Sequence, residues 1–175
     1  EPVVIGALLN ITQRKEAEDE LVRQRNFVSA ILDTAGALVV VADTEGRLVR
    51  VNPACEEITG YSAQEILGQS FMDIFILAEE QEVVWQRMER IRTGPWPVRG
   101  ENYWRTKTGE RRLIEWSNTA LTNEQGELEF IVAIGIDITE AREAEEKLRL
   151  YHEIYMNSID VIMVLDTEGR IVERN

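Results

Sequence analysis

The chain has 175 residues, with 19 basic and 32 acidic side chains; its net charge of -13 repels phosphate backbones and anionic membrane surfaces, so neither is expected as a direct partner. Its single cysteine, Cys55, excludes an internal disulfide framework and a cysteine-based zinc site, which fits a reducing, cytoplasmic setting. No apolar run approaches the ~20 residues needed to span a bilayer, and the start carries no signal-peptide pattern.

Two internal echoes divide the chain. A shift of 127 places sets Ile11 and Thr12 on Ile138 and Thr139, Glu16 and Ala17 on Glu143 and Ala144, and Leu21 on Leu148. A shift of 123 sets Asp43, Thr44, Glu45, Gly46 and Arg47 on Asp166, Thr167, Glu168, Gly169 and Arg170, with Asn52 on Asn175. Such self-similarity marks a repeat. It predicts the closing strand of a preceding module over 1–12, a linker helix over 13–30, one complete module over 31–139, a second linker helix over 140–153, and the opening hairpin of a further module over 154–175. A strand left without a sheet is rarely a natural end, so the chain is expected to be a piece of a longer protein.

In chain order, Ala17, Leu21, Gln24, Val28 and Ile31 follow steps of four and three, a short heptad seam on an otherwise charged helix, which suits pairing with a second copy. The run Leu-Val-Val-Val-Ala over 38–42, a turn over 43–46 and the apolar Leu48, Val49 and Val51 predict a hairpin. Asn52 and Pro53 are suited to cap and start a helix that Gly60 ends, and Ser62 with Glu65 has capping-box spacing for a helix closed before Gly68. Phe71, Ile74 and Phe75 form an apolar turn. A longer helix over 79–92 carries Val83, Val84, Met88 and Ile91 on one face, and Pro95 and Pro97 stop it. Strands follow over 98–107, 111–121 and 128–138, separated by turns at Gly109 and Gly126. Two strands, a cluster of short helices and three more strands predict an α+β fold, a five-stranded antiparallel sheet with the helices on one face.

Catalytic patterns are absent. Glu56-Glu57, Glu79-Glu80 and Glu145-Glu146 are adjacent, and neighbours on a helix point about 100° apart, so they form no acid–base dyad. No Gly-rich phosphate loop occurs, and the sole His152 lies in the second linker, away from any Ser/His/Asp set. The domain is therefore read as a module that is not an enzyme, whatever the rest of the parent protein does.

The stretch from Asn52 through Thr59, Gly60, Tyr61 and Ser62 to Gly68 resembles the opening of the PAS (Per-ARNT-Sim) sensory domain family. Trp104 to Gly109 resembles the family's Arg-Lys-Asp-Gly hairpin, Asp137, Ile138 and Thr139 its closing Asp-Ile-Thr, and the charged helix that follows its signalling linker. The resemblance covers about 27–145 and implies a sensor, a cupped sheet that holds a small ligand or contacts a partner and is coupled to an output domain. Against the family's cofactor-binding branches, the long helix offers no His, which disfavours His-ligated haem. The segment after Gly68 reads Gln69, Ser70, Phe71 and Met72 where a light-oxygen-voltage domain places its reactive Cys, and Cys55 reads as a small core residue. Places that hold Asn or Gln in flavin-binding members are taken here by Trp104, Ile114 and Gly135. The aromatic pair Trp104 and Trp116 then reads as core filling, the cofactor is unknown with none favoured, and a flavin held by other contacts stays open.

The expected pocket residues are Trp104, Ile114, Trp116, Asn118 and Gly135. The expected relay runs through Asp137, Ile138 and Thr139, where Thr139 is suited to cap the helix, into Ala141, Ala144, Leu148 and Tyr151, one seam with steps of three, four and three. The two linkers differ by four residues between their Leu and the following Asp-Thr-Glu-Gly turn, a stutter that would rotate successive modules. The reading is a signal-transduction module, a parallel homodimer through both linkers, flanked by other PAS domains and driving an effector such as a histidine kinase or diguanylate cyclase. A flavin or haem redox or gas sensor, and a dimerisation scaffold without ligand, are the alternatives.

Overall fold

In the computed structural model, which describes residues 2–34, 36–157, 163–168 and 170–174, short polar side chains make the turns. Asp43 accepts from the backbone N–H of Glu45 at 2.9 Å and of Arg47 at 2.8 Å. Asn123 does the same for Gln125 and Glu127 at 3.0 and 2.9 Å, and Asp166 for Glu168 and Arg170, both at 2.9 Å. A side chain that bonds the backbone two and four residues on closes a hairpin locally. The echo between Asp43 and Asp166 is thus an echo of turn geometry; the match of Asn175 to Asn52 lies outside the described residues.

The chain forms two units divided between Asp137 and Ile138. The first holds α1 (Pro2–Thr34), β1 (Leu38–Asp43), β2 (Leu48–Val51), α2 (Pro53–Thr59), α3 (Ala63–Ile66) and α4 (Phe71–Phe75). A 3-10 turn (Ala78–Glu80) then leads into α5 (Gln81–Thr93), followed by β3 (Val98–Arg105), β4 (Arg111–Thr122) and β5 (Leu128–Asp137). The strands form one antiparallel sheet in the order β2-β1-β5-β4-β3. Its inner face packs on Cys55, Ile66, Phe75 and Val84 from α2 to α5, which is the expected α+β arrangement.

Register places inward residues of neighbouring strands side by side. Leu38, Gly135, Trp116 and Gly100 form one row across β1, β5, β4 and β3, and Val40, Ala133, Asn118 and Val98 form the next. Directly opposed residues of an antiparallel pair share a face. Both rows therefore look into the same cup beneath the helices.

Asn52 joins the first hairpin to α2. Its Oδ1 accepts from Val39 N–H at 2.9 Å and Cys55 N–H at 3.2 Å, and its Nδ2 donates to the Ala37 carbonyl at 2.9 Å. Helix α2 ends on Gly60, whose N–H donates to the Glu56 carbonyl. At the start of α3, Ser62 and Glu65 form the expected capping box, in which the Ser62 N–H donates to Glu65 Oε2 at 2.9 Å.

One expectation fails at the N-terminus. Residues 2–12 are helical and continuous with the rest of α1, where a closing strand was expected. A strand with no sheet beside it leaves its ladder groups unpaired, whereas a helix satisfies them internally.

The second unit holds α6 (Thr139–Asn157) and an antiparallel hairpin of β6 (Met163–Leu165) and β7 (Ile171–Arg174), in the place expected for an opening hairpin. Among the described residues, no helix is long and apolar enough to cross a membrane.

Candidate functional site

An aromatic column fills one side of the cup. Tyr61 meets Phe75 edge-on at 5.8 Å, Phe75 stacks on Trp104 at 4.0 Å and 4°, and Trp104 meets Trp116 at 4.7 Å and 38°. Both indoles are 4% exposed. Trp116 can lie down on β5 only because Gly135 stands opposite it: a Cβ there would come within 2.6 Å of the indole Cζ3 and 2.7 Å of Ile114 Cγ2. Offset and tilted aromatic contacts add to the burial of large apolar area, so the column is a rigid wall.

Beside the column lies a cavity of about 50 Å³. With roughly 10–15 Å³ needed per water, it admits only a few small groups at a time. Trp104, Trp116 and Asn118 border it as expected; Ile114 and Gly135 do not, and form the packed floor beneath the indole. Apolar walls come from Val40, Val84, Met88 and Ile131, and two further polar residues, Arg87 and Asn102, stand at its edge.

Arg87 and Asn102 were not anticipated. Val83, expected on the inner face of the long helix, is 57% exposed. The inner stripe is Val84, Arg87, Met88 and Ile91, with spacing i, i+3, i+4 and i+7, and this spacing was the available signal. The Arg87 guanidinium donates from Nη1 to Asn102 Oδ1 and from Nη2 to the Glu101 carbonyl, both at 2.9 Å. Burial lowers the pKa of this guanidinium below its ordinary value, the charge of Glu80 opposes that shift, and Arg90 adds to it. Asn118 donates to the Val98 carbonyl at 3.0 Å. The buried Trp116 Nε1–H has no acceptor among the described residues.

Strand β5 leaves the cup at Asp137. The Asp137 carboxylate lies 3.5 Å from Nη1 of Arg112, and Arg112 stands opposite Trp104 in the β3–β4 register. In the second unit, Thr139 is the first residue of α6, and the helix opens with the Arg142 N–H donating to the Ile138 carbonyl at 2.9 Å. Ala141 and His152 are exposed, and Leu148 is 70% exposed. The seam on α1 is also open to solvent, with Leu21 68% exposed.

Cys55 is fully buried on α2, as a core residue would be. Burial pushes its thiol up to about 12; Glu56 adds to the rise and a hydrogen bond with Thr59 opposes it.

The family model for the PAS domain matches residues 36–140. Among curated relatives, the sensor histidine kinase TmoS of Ectopseudomonas mendocina is 30% identical over 120 residues, which are 68% of this chain and 12% of that protein. The cyclic di-GMP phosphodiesterase PdeR of Escherichia coli is 27% identical over 126 residues, 71% of this chain and 19% of that protein. The chain spans 30% or less of the length of the first curated relatives it matches. Among solved structures, a PAS domain from Colwellia psychrerythraea superposes with a TM-score of 0.60 at 22% identity, covering 69% of this chain and 98% of that one. The PAS domain of the RpfR quorum-sensing receptor of Cronobacter turicensis, in complex with C12:0, superposes with a TM-score of 0.52 at 25% identity, covering 59% and 95%.

Proposed function

This chain belongs to the PAS domain family, and on that premise we propose that its central module is a relay, in which the state of the cup sets the path of β5 and so the start of α6. One observation carries the reading: β5 lines the cup with Ile131 and Ala133, supports Trp116 through Gly135, and ends at Asp137, two residues before α6 begins. Anything that shifts the indole pushes on the strand that leads into the helix. The Arg112–Asp137 pair gives β4 a hold on the end of that strand.

A small-molecule occupant is supported by the Cronobacter domain, which holds C12:0, and by the cavity beside Trp116. The output is read from the relatives, a histidine kinase and a cyclic di-GMP phosphodiesterase, in which the matched region is a minor part. An effector of one of those two kinds, following a further module in the parent protein, is the arrangement proposed here.

The exposed seams on α1 and α6 suit parallel pairing with a second copy, in which apolar seam residues are withdrawn from water. Sedimentation equilibrium of the chain and of Leu148→Glu tests this part. A dimer that weakens in the variant is the expected outcome, and an equally stable dimer in both would remove α6 from the interface.

A further inference from the structure

We propose that the cavity beside Trp116 selects small monocarboxylates, with the Arg87 guanidinium receiving the carboxylate and the apolar walls receiving the hydrocarbon body. The proposal rests on the reading of the cup as a ligand site and names the chemistry of its ligand.

The placement of Arg87 depends on a missing side chain. Gly100 faces Trp116 across β3 and β4, and a Cβ on it would come within 2.5 Å of the Arg87 Cζ and Nη2. The guanidinium of α5 thus occupies the space that a side chain at 100 would fill, on the cup side of the sheet and in the same row as the indole.

Donors exceed acceptors at this edge. A guanidinium has five N–H groups, and the two hydrogen bonds from Arg87 go to an amide oxygen and a backbone carbonyl. Among the described residues no carboxylate pairs with it. Glu80, whose charge acts on Arg87, accepts a hydrogen bond from the Tyr103 N–H on its Oε2 at 2.7 Å. The Trp116 Nε1–H adds a buried donor without an acceptor among the described residues, a state that buried indoles rarely keep.

A half-buried cation with spare donors, next to walls of Val40, Val84, Met88 and Ile91, is complemented by an anionic head on a short apolar body. The planar fork of a guanidinium matches a carboxylate with two parallel hydrogen bonds. A neutral alcohol of the same length fills the walls equally well and leaves the charge unanswered.

The test titrates the 175-residue chain with sodium hexanoate and with 1-hexanol at matched ionic strength, following the Trp116 indole N–H by nuclear magnetic resonance, assigned with Trp116→Phe. Hexanoate is expected to shift that signal and to bind about tenfold or more tightly than hexanol, the size of one charge-assisted hydrogen bond. Arg87→Gln should bring hexanoate down to the level of the alcohol. Gly100→Ala keeps the charge but displaces the guanidinium, and should weaken hexanoate while sparing hexanol; it decides the matter if Arg87→Gln fails to fold. Equal binding of acid and alcohol by the native chain would overturn carboxylate selection and leave the ligand reading of the cup standing. Failure of both to bind would overturn the two together, and hexanoate affinity unchanged in Arg87→Gln and Gly100→Ala would overturn the role of Arg87.

Discussion

Gly135 lies directly opposite Trp116 across β4 and β5, and a methyl group on it would sit 2.6 Å from the indole Cζ3. The ring cannot retreat freely, because Trp104 flanks it at 4.7 Å. Gly135→Ala therefore tilts the indole or bows β5, and overpacking of this kind costs typically about 1–3 kcal/mol. Urea unfolding followed by tryptophan fluorescence should show a lower midpoint with an unchanged slope. A native midpoint would mean that the indole is not pinned.

The one side chain of Asn52 serves three backbone groups, Val39 N–H, Cys55 N–H and the Ala37 carbonyl. Asn52→Ala leaves all three to find other partners at a half-buried joint, at a cost of about 2–3 kcal/mol. Asn52→Asp keeps the acceptor for the two N–H groups and loses only the donor. It should therefore be the milder change in the same unfolding measurement.

Cys55 should be inert while the chain is folded. Its thiol ionises near 12 in place of the ordinary 9.0, because burial disfavours the thiolate, and the thiolate is the reactive form. Labelling with a maleimide at pH 7 should follow the rate of opening rather than the reagent concentration at high reagent. The sign for stability follows from the same shift: between 9.0 and 12 the folded state keeps a proton that the unfolded state releases. The contribution is whole below pH 9.0 and fades as the pH rises toward 12.

Glu65 has the opposite sign at the other end of the scale. Its hydrogen bond from Lys107, and those from the Ser62 N–H and hydroxyl, hold its carboxyl down to about 2 from 4.5. Its contribution is present above pH 4.5 and is lost as the pH falls through about 2. The group is exposed, so salt should shrink the effect. The stability gap between the native chain and Glu65→Gln should be small at pH 7, smaller still in high salt, and closed near pH 2.

The order of helices and strands is legible in the sequence because its signals are local: Asn52 and Pro53 open α2, Gly60 ends it, and Asp43, Asn123 and Asp166 make the hairpin turns. Trp104, Trp116 and Asn118 can be placed on the cup because strand alternation fixes which face they share. The register is what local signals do not carry. That Gly135 supports Trp116 and Gly100 makes room for Arg87 depends on pairing between strands distant in the chain, and an arginine on a helix reads as solvated until the helix is docked. Residues 2–12 read as a strand in the sequence and are helical in the structure for a related reason: strand pattern there has meaning only beside a sheet.

If the packing of Trp116 reaches α6 through β5, hydrogen exchange reads that coupling without any ligand. Gly135→Ala disturbs the indole from within β5, and the Arg142 N–H, bonded to the Ile138 carbonyl at 2.9 Å, reports the first turn of α6. Exchange at Arg142 and its neighbours is expected to quicken in the variant, while the β6–β7 hairpin keeps its native rates. Altered exchange along β5 with native rates throughout α6 would contradict the relay and leave the cup uncoupled from the helix.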